Sequence, residues 1–412
     1  MNITKPQEIL LGVLSQVLSG TEYKIPADTD WAELFAESRA QAVIPIMFSG
    51  ISQYCTDEAI RQTWRTYTMR SLQKSRRIQL CHNYLHQLMT NNGIPYTIIK
   101  GCASANDYPD PLMRAMGDVD FLVPKEHWEH AVEVMQNEGF ISRKEGHAFH
   151  LGFEKPGFPS EIEMHHDPFG IAKLNMPALT EIIPEVVSKS VEVNIGDITF
   201  RMPDPFCHGT VLLLHALRHL RSSGIGVRHL CDWAMFIRNF NEDEFVCIFK
   251  ERYEKLKIWK LAQVFSATAH RYLGVPYQSW MDGADAEDSL MLMLDILNGG
   301  NFGRGSGLRD AQNRFIFNKG KGWEASTKNG KVQLIRNLNA AALERYPRLM
   351  KIKILRPFGC VLIAVCYLFR VLTGKRRMLP KDTMQMADMR RKLYQKIGVI
   401  EVESIEKQGN DV

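Results

Sequence analysis

The stretch Gly117-Asp118-Val119-Asp120-Phe121-Leu122-Val123 holds the residues best suited to chemistry. Read as a strand, its side chains alternate faces, so Asp118 and Asp120 share one face while Val119, Phe121 and Val123 turn to the core. Two adjacent carboxylates repel unless a cation lies between them, and hard oxygen donors at this spacing suit Mg2+ or Mn2+. A lone Asp-x-Asp fits an edge strand with a solvated acidic face equally well. Its surroundings favour the site. Upstream, Ile94-Pro95-Tyr96-Thr97-Ile98-Ile99 reads as a strand running into Lys100-Gly101, and Cys102 to Asp107 as a short helix closed by Pro109. Unpaired N–H groups at a helix start, a glycine that admits a ligand to the backbone and a neighbouring lysine suit an anion. Downstream, Glu161-Ile162-Glu163-Met164-His165 alternates again, placing Glu161, Glu163 and His165 on one face and offering a third carboxylate.

The elements that must hold these residues follow from periodicity. Residues 7–18 and 30–51 carry apolar residues at helical spacing, Asp30 being a cap, and a long periodic segment runs from about 57 to 90 before Asn91-Asn92-Gly93. Within it Arg61, Arg65, Arg70, Lys74, Arg76 and Arg77 read as a solvated face. After the acidic strand comes a helix from Pro124 to Glu138, strands over 140–153 and 159–166, and a hairpin over 189–202 around Gly196. This order predicts a small α/β (α+β) mixed sheet with helices mainly on one face. From Asp204 the period is helical, over 205–220, 227–240, 242–253 and 257–272. His215 and His219 share a face there, with Arg228 and Asp232 on the next helix; no Glu stands beside His215 as a zincin requires, so these four read as cleft-lining groups. Residues 283–307, rich in Gly, Asp and Ser, read as a flexible connection.

The segment 345–377 has nine Lys or Arg residues and no acid, and encloses the apolar run 358–369. Twelve residues are short of the roughly 20 that a spanning helix needs. A buried helix of a C-terminal lobe is the first reading, and a basic amphipathic surface resting weakly on anionic lipid the second. At 412 residues, 45% apolar and 24% charged, the chain suits a globular protein of two or three lobes. A net charge of +5 does not by itself indicate nucleic acid. Eight cysteines without a Cys-x-x-Cys pair speak against zinc and a disulfide scaffold. The N-terminus lacks the cationic start and apolar run of a signal peptide, so a cytoplasmic location is expected.

Lys100-Gly101, then Tyr108-Pro109 and Arg114, then Gly117-Asp118-Val119-Asp120, then the hydrophobic-Glu-hydrophobic-His strand at 162–165, resemble the DNA polymerase beta-like nucleotidyltransferase superfamily. Within it they resemble the bacterial uncharacterised nucleotidyltransferase family. Cys102 stands where Ser or Gly is usual, and the interval from Gly101 to Asp118 is long. Periodicity and composition give a helical lobe at 1–92 and a helical basic segment at 301–412, and the resemblance implies a catalytic core at 93–203 followed by a helical substrate-cleft lobe at 204–300. It implies transfer of a nucleoside monophosphate from an NTP, with ATP the default donor, to a hydroxyl acceptor that is a small molecule, sugar, protein or RNA. Asp118, Asp120 and Glu163 would hold Mg2+ or Mn2+; Lys100, Gly101, Ser104 and Arg114 would meet the nucleotide, Arg114 alternatively bracing the loop; His165 would support the site or the acceptor. The alternative is an inactive nucleotide-binding or interaction protein of the same fold. His166-Asp167 suggests a phosphohydrolase only if it sits on a helix, and it reads as the end of a strand.

Overall fold

A computed structural model describes residues 2–143, 150–174, 176–301, 309, 312–313, 316, 335, 338–339, 341–343, 345–352, 355–373 and 380–398. The chain forms two compact units, Met1–Leu220 with Gly224–Arg304, and Arg221–Ser223 with Gly305–Val412. The first unit opens with α1 (Lys5–Ser19), α2 (Trp31–Ala40), α3 (Ile44–Ile51) and α4 (Glu58–Asn91). Residues 30–51 share one periodicity yet form two helices, because Ala42 takes a φ of 59°, a left-handed conformation that no continuous helix admits. α4 starts where the Asp57 carboxylate accepts the Ile60 N–H at 3.0 Å. Arg65, Arg70, Lys74 and Arg77 are exposed along it, and Arg76 forks onto Asp197 through two 2.8 Å bonds. Its far half turns Ile78, Cys81, Leu85 and Met89, one helical stripe, into the core under the sheet.

That sheet is mixed and, among the described residues, has five strands: β1 (Thr97–Ile98), β2 (Val119–Leu122), β3 (Ile141–Arg143), β4 (His150–Glu154) and β5 (Ile162–His165), in the order β1-β2-β5-β4-β3. β2 and β5 run parallel and every other pairing is antiparallel. A parallel pair needs a crossover, supplied here by α6 (Trp128–Asn137) with β3 and β4; α5 (Cys102–Ala105) links β1 towards β2. Val119, Phe121, Ile162 and Met164 are fully buried on the face that packs on α4. After α7 (Ile171–Leu174) and α8 (Ile183–Ser188), β6 (Val191–Ile195) and β7 (Ile198–Met202) form the expected hairpin, turning at Gly196 with φ 60°. The helices α9 (Pro205–Arg221), α10 (Val227–Ile237), α11 (Glu242–Phe245), α12 (Glu251–Lys255), α13 (Trp259–Leu273) and α14 (Ala286–Gly299) follow.

Two expectations are corrected. The polar stretch after Gly283 is largely α14: Asp285 accepts the Asp288 N–H at 2.7 Å and Asp288 returns a bond to the Asp285 N–H, so acids that read as loop residues are a capping box. Leu292, Ile296 and Leu297 are buried behind it, and Gly300, φ 64°, ends it. In the second unit α15 (Pro347–Lys351), α16 (Arg356–Leu372) and α17 (Pro380–Lys396) are described, and α16 is not a buried helix: several of its large apolar side chains face solvent. No helix among the described residues is long and apolar enough to cross a membrane.

Candidate active site

The parallel register sets Asp120 beside Glu163 and Leu122 beside His165, and β4 adds His150 next to His165. These side chains share the sheet face away from α4. Asp120 is 1% exposed, whereas Asp118, one residue before β2, is open at the mouth of a cleft. The cation between charges here is Lys100, whose Nζ lies 2.5 Å from Asp120 Oδ1; His165 Nε2 lies 2.8 Å from the same oxygen. Burial alone would raise the Asp120 carboxyl, but Lys100 and His165 outweigh it and hold it well below the usual carboxylate range. The charge of Asp120, helped by the protein packed around the cleft, pushes Asp118 up to about 6 against the pull of Lys100. A divalent cation beside the two aspartates relieves that repulsion, so the donor set fits Mg2+ or Mn2+. Glu163 is held below its ordinary value by its hydrogen bond with His165, at 3.4 Å. Ligand atoms of His150, Glu163 and His165 lie within 4.8 Å of one another, so two imidazoles flank the third carboxylate. Glu161 instead sits over Gly152, where an added Cβ would come within 2.9 Å of its Oε1.

The Lys100-Gly101 turn depends on the glycine. Gly101 has φ 61° and ψ −113°, and a Cβ there would lie 2.8 Å from His82 Nε2. Burial lowers the His82 imidazole to about 4, and its Nδ1 lies 2.8 Å from the Ile78 carbonyl, so the neutral ring donates there and cannot retreat. Gly101→Ala is therefore expected to cost about 1–3 kcal/mol of stability, from the strained backbone and the clash, and to weaken nucleotide binding; urea unfolding and nucleotide titration check both. Arg114 holds the turn from the other side. Its Nη1 donates to the Gly101 carbonyl at 3.3 Å, and its Nε and Nη2 grip both Asp232 oxygens at 2.8 Å. Tyr108 donates its hydroxyl to Asp232 Oδ1, also at 2.8 Å. Burial works against the charge on both partners, yet the pairing keeps Asp232 below and Arg114 above their ordinary values. Through these bonds Arg114 ties the turn to α10 while still lining the cavity described below.

A cavity of about 230 Å³ opens between the sheet face and the helical lobe. Lys100, Gly101, Ser104, Arg114, Asp118 and Asp120 line one wall; His215, Arg228 and Asp232 line the other, with His229 and Asn301. Ser104 is buried and its Oγ has no hydrogen-bond partner, so it offers a hydroxyl to whatever enters. Arg228 reaches the Ala115 carbonyl at 3.4 Å. Glu163, His165 and His219 do not line this cavity. His219 packs behind His215 with rings 4.6 Å apart, and the His229 ring stacks on His215 at 5.7 Å. Burial and the neighbouring cations push His215 and His229 well below 6.5, so this wall presents neutral rings. His82, His150 and His229 escaped the sequence reading. Strand alternation marks His150, but only the β4–β5 register brings it to Glu163. Asp167 takes N–H bonds from Phe169, Gly170 and Ile171 at 2.7–3.0 Å and so caps α7, while His166 packs on Trp128 at 5.6 Å. That pair is structural, which removes the phosphohydrolase reading.

The chain belongs to the uncharacterised nucleotidyltransferase family, whose profile matches residues 27–274. Among solved structures it is similar to an antigenic nucleotidyltransferase-like protein from Paracoccidioides brasiliensis, at 14% identity over 48% of this chain and 93% of that one, with a TM-score of 0.33. A comparison with curated proteins gives no match.

Proposed function

We propose that this protein transfers a nucleoside monophosphate from an NTP to a hydroxyl acceptor and releases pyrophosphate. The observation that carries this reading is the meeting of Asp118, Asp120 and the Gly101 turn at one cavity, with Glu163 in register beside Asp120. Asp118, Asp120 and Glu163 would hold Mg2+ or Mn2+, which when bound neutralises phosphate charge and acidifies the attacking hydroxyl. The acceptor oxygen bonds to the α-phosphorus and gives its proton to solvent water, the bond from that phosphorus to the bridging oxygen breaks, and pyrophosphate leaves with the electron pair. Gly101 N–H, Lys100 and Ser104 would receive the triphosphate, and the bonds of Arg114 to Asp232 and to the Gly101 carbonyl would keep their turn from shifting. The low Glu163 pKa suits a ligand better than a base, since a weakly basic carboxylate holds a proton poorly. Neutral His215 and His229, with Arg228, form the wall that the base or acceptor would meet.

The test is pyrophosphate release from each of the four ribonucleoside triphosphates with Mg2+ or Mn2+, with and without cell extract as acceptor source. Release that requires the extract and both aspartates is the expected result. Metal-dependent nucleotide binding without release from any triphosphate would instead identify a non-catalytic nucleotide-binding protein of this fold.

A further inference from the structure

We infer that α16 lies in the surface of a membrane that carries anionic lipid. Phe358, Val361, Leu362, Val365 and Phe369 are 46–66% exposed, and their spacing of three or four residues puts them on a single face of the helix. Another face is the packed one. Gly359 is buried, and a Cβ on it would meet Met350 Sδ at 2.5 Å and Ala342 and Leu349 at 3.4 Å, while Cys360, Ile363 and Cys366 are half-buried. The helix is thus anchored to its own unit by one apolar face and displays a second. Five large side chains in a continuous stripe exceed the scattered apolar exposure of an ordinary soluble surface.

Charge selects the occupant. In sequence, the nine cations of 345–377 flank the apolar run on both sides, five from Arg345 to Arg356 and four from Arg370 to Arg377, with no acid among them. A protein partner of ordinary surface would not call for cations at both ends and none of the opposite sign. An anionic bilayer surface does, because it attracts each Lys or Arg within a Debye length while the apolar side chains enter the boundary between headgroup and acyl chain. At 17 residues with an arginine near each end, α16 is suited to lying in that plane rather than crossing it. The inference is independent of the proposed chemistry, so either can fail alone.

The experiment is co-sedimentation of the full chain with vesicles of phosphatidylcholine alone and of phosphatidylcholine with about one-third phosphatidylglycerol, at low and high salt. Expected is binding to the anionic vesicles that falls at least about tenfold on pure phosphatidylcholine and at high salt. Phe358→Ser/Phe369→Ser, two exposed positions, and separately Lys375→Ala/Arg376→Ala/Arg377→Ala, should each reduce it comparably, with an unchanged circular dichroism spectrum. No vesicle binding by the wild type overturns the inference. So does a wild-type dimer, seen by light scattering, that Phe358→Ser/Phe369→Ser converts to monomer without any lipid binding, since a second copy would then cover the stripe. Binding that is equal on both vesicle types and insensitive to salt overturns the anionic assignment.

Discussion

Asp118→Asn and Asp120→Asn are each expected to lower pyrophosphate release at least a thousandfold, about 4 kcal/mol of barrier, while differing sharply in their effect on stability. From the sequence the two aspartates look equivalent, and releasing either from like-charge repulsion should leave the fold intact. The structure separates them. Asp120 is buried and binds both Lys100 and His165, so its loss strands a largely buried ammonium; breaking such a pair from one side costs about 3–5 kcal/mol. Asp118 is exposed and repelled by Asp120, so Asp118→Asn should leave the chain as stable as wild type or more so. The two also differ in pH dependence. Raised to about 6, the Asp118 carboxyl holds its proton more tightly in the folded chain than in the unfolded one, where it titrates near 3.8. Its contribution to stability is therefore lost as pH rises from about 4 through about 6. Comparing urea midpoints of wild type and Asp118→Asn in chelator across pH 4–8 isolates this term: the gap in favour of the variant should open over that window and stay constant above it. A gap that closes with rising pH would show that Asp118 is paired rather than repelled. Product formation by an Asp118→Asn/Asp120→Asn double variant would defeat the mechanism itself.

Asp232→Ala is expected to destabilise the protein by about 3–5 kcal/mol although it lies more than a hundred residues from the acidic strand. It leaves the Arg114 guanidinium buried without its counter-charge and takes away the acceptor of the Tyr108 hydroxyl. Arg114→Met/Asp232→Leu, which removes both charges, should recover much of the loss, because well-packed apolar groups commonly match a buried ion pair in stability. Activity should not recover with it, since the Gly101 carbonyl has lost the guanidinium that holds the turn. Unfolding midpoints and steady-state kinetics on the two singles and the double separate these effects. A double variant no more stable than Asp232→Ala would mean that the pair does not act by mutual neutralisation. An Arg114 variant of wild-type stability with only a raised KM for the triphosphate would return Arg114 to direct phosphate contact.

The strand faces and the turn that carry the candidate site residues are legible because they follow short local patterns. Alternation in 117–123 and 161–165 separates the faces of a strand without knowledge of its partners, and Gly101 between a strand and a helix start marks a turn that side chains would block. The helices of the second lobe were legible for a similar reason, since a buried stripe imposes its period on the sequence. Two local patterns misled. Acids after Gly283 served as caps to a helix whose buried side is apolar, and the run 358–369 looked like core because composition does not say which of two apolar faces is covered.

Everything that depends on partners distant in sequence was decided by tertiary structure. The parallel β2–β5 register sets Glu163, which the resemblance had named over Glu161, beside Asp120, and only the antiparallel β4 brings His150 to it. The different environments of Asp118 and Asp120 arise from where Lys100 and His165 reach, and the fate of Arg114 from a helix more than a hundred residues later. By itself the sequence determined which residue types lie on which face of each element, because that follows from backbone geometry within a few residues. Charge state, pairing and access were left to the fold, because Coulomb interaction and desolvation depend on distances in space that chain separation does not set.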